Sequence, residues 1–330
     1  MRRRIACWKW RWDVRSREAS VALAIALLAA LLAFVAPGFF SRGNLIDLVL
    51  GNLPVLVAAL GAALVILTGE IDISVGSIFA VCGIAAGVAA QAGLPVFAAA
   101  AVAILAGAIL GSLNGALVAY ARLPSIVVTL ATLVALRDAL RWTTQGAWVQ
   151  GLPEDFQWLG LGQRGYPIAA LAIAALLFAV LAWSLRHLAA GRAVYATGSD
   201  VDAARLAGFN TQLIKFSVFA TAGALTGIAA LLNAVRFNQI PSNAGIGLEM
   251  KVIAAVVVGG AAIRGGSGTM LGTVLGVVLL AAIGPALVFL GISAYWERAL
   301  QGAIILMAVT VDAWRARRPA RAAAKTAAAI

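Results

Sequence analysis

The chain has 330 residues, of which 63% are hydrophobic and 12% charged, and its mean hydropathy is +0.98. The charged and polar residues are too few to cover the surface of a water-soluble globule of this length. The composition therefore excludes a soluble enzyme and predicts an all-α, polytopic membrane protein. The formal net charge of +12 lies mostly in two basic tails, residues 1–18 and 313–330. Such tails beside membrane spans are typical of two cytoplasmic termini rather than of nucleic-acid binding.

Apolar runs of membrane-spanning size follow in chain order, since a helix needs about 20 apolar residues to cross the hydrocarbon core. Seven runs approach or exceed this length: Ala19–Ala36, Leu48–Leu67, Val75–Ala90, Val96–Tyr120, Pro167–Leu185, Leu213–Val235 and Thr269–Leu290. Three others are short or carry charges: Ile126–Thr143, Val252–Ile263 and Ala294–Val311. The sequence therefore predicts about ten transmembrane helices in one domain, residues 19–312. Eight spans with re-entrant segments are the alternative.

The positive charges between the spans support this topology. Ten spans that start inside place residues 69–74, 121–125, 186–212 and 264–268 in the cytoplasm, and most of the loop arginines lie there. The loops assigned to the outside, near 37–47, 91–95 and 236–251, hold only Arg42, Arg236 and Lys251. Because cytoplasmic loops carry an excess of Lys and Arg, both termini are predicted to be cytoplasmic and residues 145–166 to form a periplasmic loop.

Two glycine-interrupted segments resemble each other. They are "VILTGEIDISVGSIFA", Val65 to Ala80, and "VVVGGAAIRGGSGTMLG", Val256 to Gly272. Such interruptions are typical of broken helices that line a cavity, although glycines also permit close helix packing. Glu70, Asp72, Ser74, Gly265 and Gly266 are therefore candidates for a translocation pathway or a helix break. For the two acids, capping of the next helix by Asp72 or Ser74 is the leading interpretation.

Polar residues inside the spans are the remaining pathway candidates. Arg137 lies in the run that starts at Ile126, where Asp138 and Arg141 can pair on one helix face. Either Arg137 faces a wet cavity or its long side chain reaches outward to the interface. Asn114 and Asn233 lie in otherwise apolar spans and are candidates to contact solute.

Several catalytic patterns are missing from the sequence. It contains no GxxxxGK[ST] loop, no HExxH and no GxSxG, and its single histidine is His187. We therefore expect no enzyme activity, no bound cofactor and no metal site in this chain.

The predicted cytoplasmic loop 186–212 contains the most specific polar pattern, "YATGSDVDAARLAGFN", Tyr195 to Asn210. Ser199 or Asp200 is a suitable N-cap, Asp202 complements the helix dipole and Gly208 is a suitable stop. These features predict a short amphipathic helix, which either docks a partner or is an ordinary surface helix.

Together, five segments resemble the integral permease subunit of bacterial ABC importers for monosaccharides, of the ribose, xylose, arabinose and rhamnose branch. They are "TGEIDISVGS", "GSLNGALVAYARLPSIVVTLATL", "YATGSDVDAARLAGF", "IAAVVVGGAAIRGGSGTMLGTVLG" and "ISAYWERALQGAIILMAVTVD". The likeness runs from about residue 45 to 313. The branch also includes an importer of a sugar-like quorum signal. Glu70, where many members have glycine, and "SAYWE" favour the rhamnose-like subgroup, whereas Asp138 stands where a small residue is common.

The resemblance implies a set of partners in the bacterial inner membrane. Permeases of this kind pair with a second permease, bind cytoplasmic ATPase subunits that use ATP and Mg, and receive sugar from a periplasmic binding protein. It also implies that the loop Ala196 to Asn210 is the coupling segment, which sits in a groove of the ATPase. The positions that match the family there are Gly198, Asp200, Ala203, Ala204, Arg205 and Gly208. Asp202, the acid in the first turn of the predicted helix, is a further candidate for the coupling site.

Alternating access driven by the partner ATPases is the mechanism expected of such a permease. The loop Gln145 to Tyr166, with Trp148 and Trp158, is a candidate docking gate for the binding protein. Two other classes stay open from the residues alone. An ion-coupled secondary transporter would need no ATPase, and a membrane scaffold or receptor would move no solute.

Overall fold

The computed structural model describes residues 2–293, 295–307 and 310, with side chains from residue 18 onward. The predicted tail 313–330 and the end of the run Ala294–Val311 lie outside these residues. The helices are α1 (Arg2–Val35), α2 (Arg42–Leu67), α3 (Val75–Gln91), α4 (Val96–Ala119), α5 (Ser125–Thr144), α6 (Gly162–His187), α7 (Ala189–Ser199), α8 (Val201–Leu206), α9 (Thr211–Ala234), α10 (Leu248–Val258) and α11 (Met270–Phe289). Residues 296–307 are also helical. The strands β1 (Val149–Gln150) and β2 (Gln239–Ile240) pair antiparallel.

Prolines and glycines set several helix boundaries. Pro95 and Pro124 occupy the positions just before α4 and α5, where a missing amide hydrogen costs nothing. Past the end of α2, Gly69 has a φ of 83°, a conformation that favours glycine. These helix boundaries therefore follow from local chemistry in the sequence.

The all-helical, polytopic prediction is confirmed at this level, but the count of ten full spans is not. Among the described residues, six helices are long and apolar enough to cross a membrane: part of α1, then α2, α4, α6, α9 and α11. Helix α3 is apolar but has 17 residues, and α5 carries three charged residues. The predicted span Val252–Ile263 is wrong in its bounds, because α10 has 11 residues and ends at Val258. At about 1.5 Å per residue, that length crosses roughly half of the hydrocarbon core.

Helix α2 lies at the centre of the bundle, and most of its residues from Leu53 to Leu67 are buried. Helices α9 and α6 pack against it, as does the hairpin of α10 and α11, whereas α3 and α4 pack against α9. By contrast, α1 and α6 bury few residues and expose Leu27, Phe34 and Leu176. An apolar exterior around a packed interior is what a lipid environment requires.

Small residues allow the backbones of α4 and α9 to meet. A side chain on Gly223 would begin 2.1 Å from the Gly107 carbonyl oxygen, and one on Gly111 would begin 2.3 Å from the Phe219 carbonyl oxygen. Gly227 faces Ala103 in the same way. Because lipid offers no hydrophobic drive between helices, such close packing is a main source of association.

Contacts between loops sort the connections into two ends of the bundle. At one end, Gly266 donates its amide hydrogen to Leu67 at 3.0 Å, and Ile71 donates to Ser125 Oγ at 3.2 Å. At the other end, β1 pairs with β2 and Gln91 donates to the Gln150 carbonyl. The loops that the charge pattern assigns to one side of the membrane thus lie together.

Replacing Gly223 with alanine tests the helix contact. The new methyl group would clash with the Gly107 carbonyl, and we expect the free energy of unfolding to fall by about 1–3 kcal/mol. Gly43→Ala is the matched control, because nothing lies within 4 Å of its added carbon. Thermal unfolding of both purified variants in detergent measures the difference. An unchanged midpoint for Gly223→Ala would contradict the packing.

Candidate functional site

The candidate coupling segment, residues 189–210, is built by two consecutive short helices and their caps. Asp200 Oδ1 accepts hydrogen bonds from the amides of Asp202 and Ala203, both at 3.0 Å, at the start of α8. After α8, Gly208 has a φ of 86°, and Asn210 Oδ1 accepts from the Leu213 amide at the start of α9. The predicted helix with Asp200 as its N-cap and Gly208 as its stop is therefore confirmed. Helix α7, which precedes it, was not predicted.

The surface of α8 is exposed. Ala204 is buried, whereas Asp202 and Arg205 form an exposed ion pair at 3.6 Å. Arg205 Nε also donates to Thr211 Oγ1 at 3.1 Å, which ties α8 to the first turn of α9. Leu206 is 91% exposed. Leu206 is therefore accessible to a groove of another chain.

The end of α7 is locked against two other loops at a glycine junction, which we define as Gly69, Gly198, Gly265 and Gly266. A side chain on Gly198 would begin 1.9 Å from the Leu67 carbonyl oxygen and 2.6 Å from the Gly266 nitrogen. One on Gly265 would begin 2.5 Å from the Gly69 nitrogen. The two segments that resemble each other in sequence therefore meet here, on either side of the coupling segment.

Glu70 contributes a charge pair beside this junction. It forms a salt bridge with Lys215 of α9, and the two side chains are only 15% and 18% exposed. Opposite charges removed from water interact more strongly than surface pairs do. Glu70 therefore connects the α2–α3 loop to α9. No local sequence signal pairs these residues, which lie 145 positions apart.

Asp72, Ser74 and Asn114 share one buried hydrogen-bond chain. Thr132 Oγ1 donates to Asn114 Oδ1 at 2.6 Å, and Asn114 Nδ2 donates to Ser74 Oγ at 2.9 Å. Asp72 Oδ1 accepts from both the hydroxyl and the amide of Ser74, at 2.5 and 2.8 Å. This hydrogen-bond chain links the start of α3 to α4 and α5. The polar groups of these pathway candidates are therefore bonded to other protein groups.

The role of Asp72 is close to the predicted cap. Its carboxylate holds the amide of Ser74, the residue just before α3, rather than the amides of the first helical turn. Burial raises the pKa of the Asp72 carboxyl, and the hydrogen bonds from Ser74 oppose that rise. A neutral group with the same acceptor oxygen therefore suits this position.

Arg137 and Asn233 lie apart from that chain, toward the β1–β2 end. Arg137 Nη1 donates to the Ala244 carbonyl oxygen at 2.7 Å, in the irregular segment between α9 and α10. Asn233 lines a cavity beside the same segment. Asp138 and Arg141 form the expected pair at 3.8 Å, and both are exposed. No cluster of metal-binding side chains occurs among the described residues.

The predicted docking gate is attached to the rest of the bundle. Trp158 donates its amide hydrogen to the Val235 carbonyl at 2.7 Å, and its ring contacts Tyr166 edge to face. Strand β1 in this loop pairs with β2, which follows α9. Any partner that moves the loop would therefore also pull on the segment between α9 and α10.

Comparisons with known proteins identify relatives over nearly the whole chain. Residues 44–309 match the family described as "Branched-chain amino acid transport system / permease component". The chain is 38% identical to the autoinducer 2 import system permease protein LsrC of Yersinia pseudotuberculosis serotype O:1b, over 90% of this chain and 85% of that protein. It is also 38% identical to LsrC of Escherichia coli O157:H7, over 87% and 85%. No solved structure matches the chain.

Two substitutions at Asp72 test whether its hydrogen-bond acceptor oxygen or its negative charge is required. In Asp72→Asn the side-chain oxygen can still accept from Ser74, so we expect folding and transport to remain largely intact. In Asp72→Leu the accepting oxygen is lost, and the buried amide and hydroxyl of Ser74 lose their shared partner, at a cost of about 1–3 kcal/mol. Thermal unfolding and solute uptake measure the two effects. Equal and complete loss of uptake in both variants would show that the charge itself is essential.

A charge exchange tests the Glu70 and Lys215 pair. Glu70→Lys and Lys215→Glu each place like charges side by side, and we expect each to lower the thermal midpoint of the purified protein. The double variant restores opposite charges and should recover most of that loss. If the double variant is as unstable as the sum of the two single variants, the pair does not contribute.

Proposed function

Because the chain belongs to the branched-chain amino acid transport system / permease component family, we propose that it is the membrane subunit of an ATP-driven importer for a sugar or a sugar-like molecule. It is a multi-pass protein of the bacterial inner membrane. The capped, exposed helix α8, which directly follows the glycine junction at the end of α7, is the single observation that carries the coupling role. The chemistry of ATP hydrolysis belongs to a separate partner chain.

Coupling in this proposal depends on α8 and its attachments. The ATPase subunit grips α8 around the exposed side chain of Leu206, and the surrounding contacts limit independent motion of the helix. Asp200 and Gly208 set the bounds of α8, and Gly198 sets the contact of α7 with α2. Movement of the ATPase is thereby transferred to the ends of α2, α7 and the 259–269 loop. Asp202, Ala203 and Ala204 form the body of the gripped helix.

The cargo is a small cyclic sugar or a signal of similar chemistry. The family description names amino acids, whereas the relatives above are named as importers of autoinducer 2. Those names favour the sugar-like quorum signal over rhamnose, for which Glu70 and "SAYWE" are the only support in the sequence. Amide and arginine side chains near the irregular segment, Asn233 and Arg137, are positioned to contact it or to shape its route.

Other subunits complete the transporter in this proposal. A second permease, identical or paralogous, pairs with this chain, and a periplasmic binding protein delivers the cargo near residues 145–166. Both basic tails face the cytoplasm. Alternating access then follows when the paired permeases reorient. An ion-coupled secondary transporter is the alternative, and it predicts uptake that needs no ATPase.

Leu206→Asp tests the docking of α8. The side chain is exposed, so the substitution should leave folding intact while it places a charge in the proposed apolar contact. We expect co-purification of the ATPase subunit to fall at least tenfold, with ATP-dependent uptake lost. Leu188→Asp, the same change at an exposed position just before α7, is the matched control and should retain both. Undiminished capture of the ATPase by Leu206→Asp would refute the assignment.

A further inference from the structure

The irregular segment 236–247 runs deep into the helix bundle. Ile240 faces Gly83 and Gly87 of α3, whereas Gly245 contacts Gly76 near the opposite end of that helix. Gly87 and Gly76 are 11 positions apart, roughly 17 Å along α3 at about 1.5 Å per residue. The segment therefore replaces the outer half of a span, and the short helix α10 supplies the inner half. Non-helical backbone at this depth is tolerated where it lines a cavity.

A cavity of about 400 Å³ lies beside this segment. Its side-chain walls include Phe79, Trp148, Asn233, Phe237, Asn238 and Gln239. Pro54 and Gly51 of α2 contribute a wall that is mostly backbone. The volume lies at the small end of the range for ligand sites, about 300–1,000 Å³, and suits a single ring rather than an oligosaccharide.

The polar groups of the cavity have hydrogen-bonding capacity to spare. Among the residues that the structure describes, none of those lining the cavity has an ionisable side chain. The side-chain amides of Asn233, Asn238 and Gln239 each offer two donors and an acceptor oxygen. These three residues line the same cavity as the aromatic residues Trp148 and Phe237. Amides recognise hydroxyl groups, and aromatic faces cover the C–H face of a ring.

The backbone of α2 leaves one carbonyl without its helical donor next to the cavity wall. Pro54 has no amide hydrogen, so the carbonyl of Leu50 lacks its helical donor one turn earlier. Gly51 beside it has no side chain to cover this carbonyl, and a side chain there would begin 3.7 Å from Arg236 Nη1. Arg236 Nε is itself buried without a hydrogen-bond partner in the described part of the chain. Leu50 and Arg236 do not line the cavity themselves but lie beside its α2 wall.

We propose that this cavity binds one neutral cyclic polyol, the cargo of the importer, in the outer half of the permease. The inference rests on the proposed function and adds the site to it. The ligand is neutral because no ionisable side chain, acidic or basic, lines the walls that the structure describes, and it is polyhydroxylated because the amides need several partners. The ring of Trp148 forms the outer lid of the site. Arg137 holds the inner edge through the Ala244 carbonyl.

Uptake kinetics of the complete transporter test the site. The permease, its ATPase and its binding protein are reconstituted in liposomes, and uptake of autoinducer 2, D-ribose and L-rhamnose is measured. The comparison uses whichever compound the unmodified transporter accumulates. For that compound, Asn233→Ala and Trp148→Ala should each raise KM or lower uptake at least threefold, because each removes one or two contacts with the cargo. Asn243→Ala, in the same segment but outside the cavity, and Trp183→Ala on α6 are matched controls.

Co-purification of the ATPase distinguishes the possible failures. If Asn233→Ala and Trp148→Ala retain both the ATPase and unmodified KM, the cavity is not the site, although the importer function stands. If the unmodified transporter accumulates none of the three compounds in an ATP-dependent manner, the proposed function fails and the site with it.

Chemical protection provides a second readout that does not depend on transport rate. In a background with Cys7 and Cys82 replaced by alanine, Asn238→Cys and Asn243→Cys are each labelled with a maleimide in the assembled complex. The transported compound should slow labelling of Asn238→Cys at least threefold and leave Asn243→Cys unchanged. Equal labelling of Asn238→Cys with and without the compound would overturn the proposal.

Discussion

The glycine junction is the constraint on which the rest of the structure depends. Gly69, Gly198, Gly265 and Gly266 allow three chain segments to touch through backbone atoms, with no room for a single methyl group at Gly198 or Gly265. Interiors packed this closely do not deform smoothly, so the segments move together or not at all. The end of α7, which leads into the helix proposed to meet the ATPase, is therefore attached directly to the central helix α2 and to the turn between α10 and α11.

Contacts continue from the junction toward the outer cavity. The loop after α2 bonds to α5 through Ile71 and Ser125, and its buried hydrogen-bond chain reaches α4 through Asn114. From α5, Arg137 holds the Ala244 carbonyl in the wall of the cavity. This physical continuity gives a route by which a push at α8 would alter the outer half of the bundle. Two discrete arrangements of these elements are what alternating access requires.

Part of the fold and of the candidate site could be predicted from the sequence, because it depends on local chemistry. Asp200, Gly208 and the glycine-interrupted segments carry their signals within a few residues, because caps and left-handed turns are local requirements. The pairing of Glu70 with Lys215 was not predictable, since it depends on where α9 lies in space. Likewise, α10 resembles a short span in hydropathy, and only the tertiary structure separates it from the irregular segment 236–247.

Asn114 illustrates the same limit. In sequence it is a polar residue in an apolar span, which is equally typical of a solute contact and of a buried structural bond. The structure shows both ends of its amide engaged, with Ser74 and with Thr132. Asn233, with the same sequence signature, lines a cavity. Burial and partners distinguish the two residues, and neither is encoded locally.

The most direct test of the central claim is a pair of distances measured by pulsed electron paramagnetic resonance in the assembled transporter. Spin labels replace Ala207 just after α8, Arg264 beside the glycine junction and Asn243 in the irregular segment, in a chain without Cys7 and Cys82. Between the ATP-free and the vanadate-trapped states, the distance from residue 207 to residue 264 should stay constant, whereas the distance from 207 to 243 should change. A change between 207 and 264 would contradict a rigid junction.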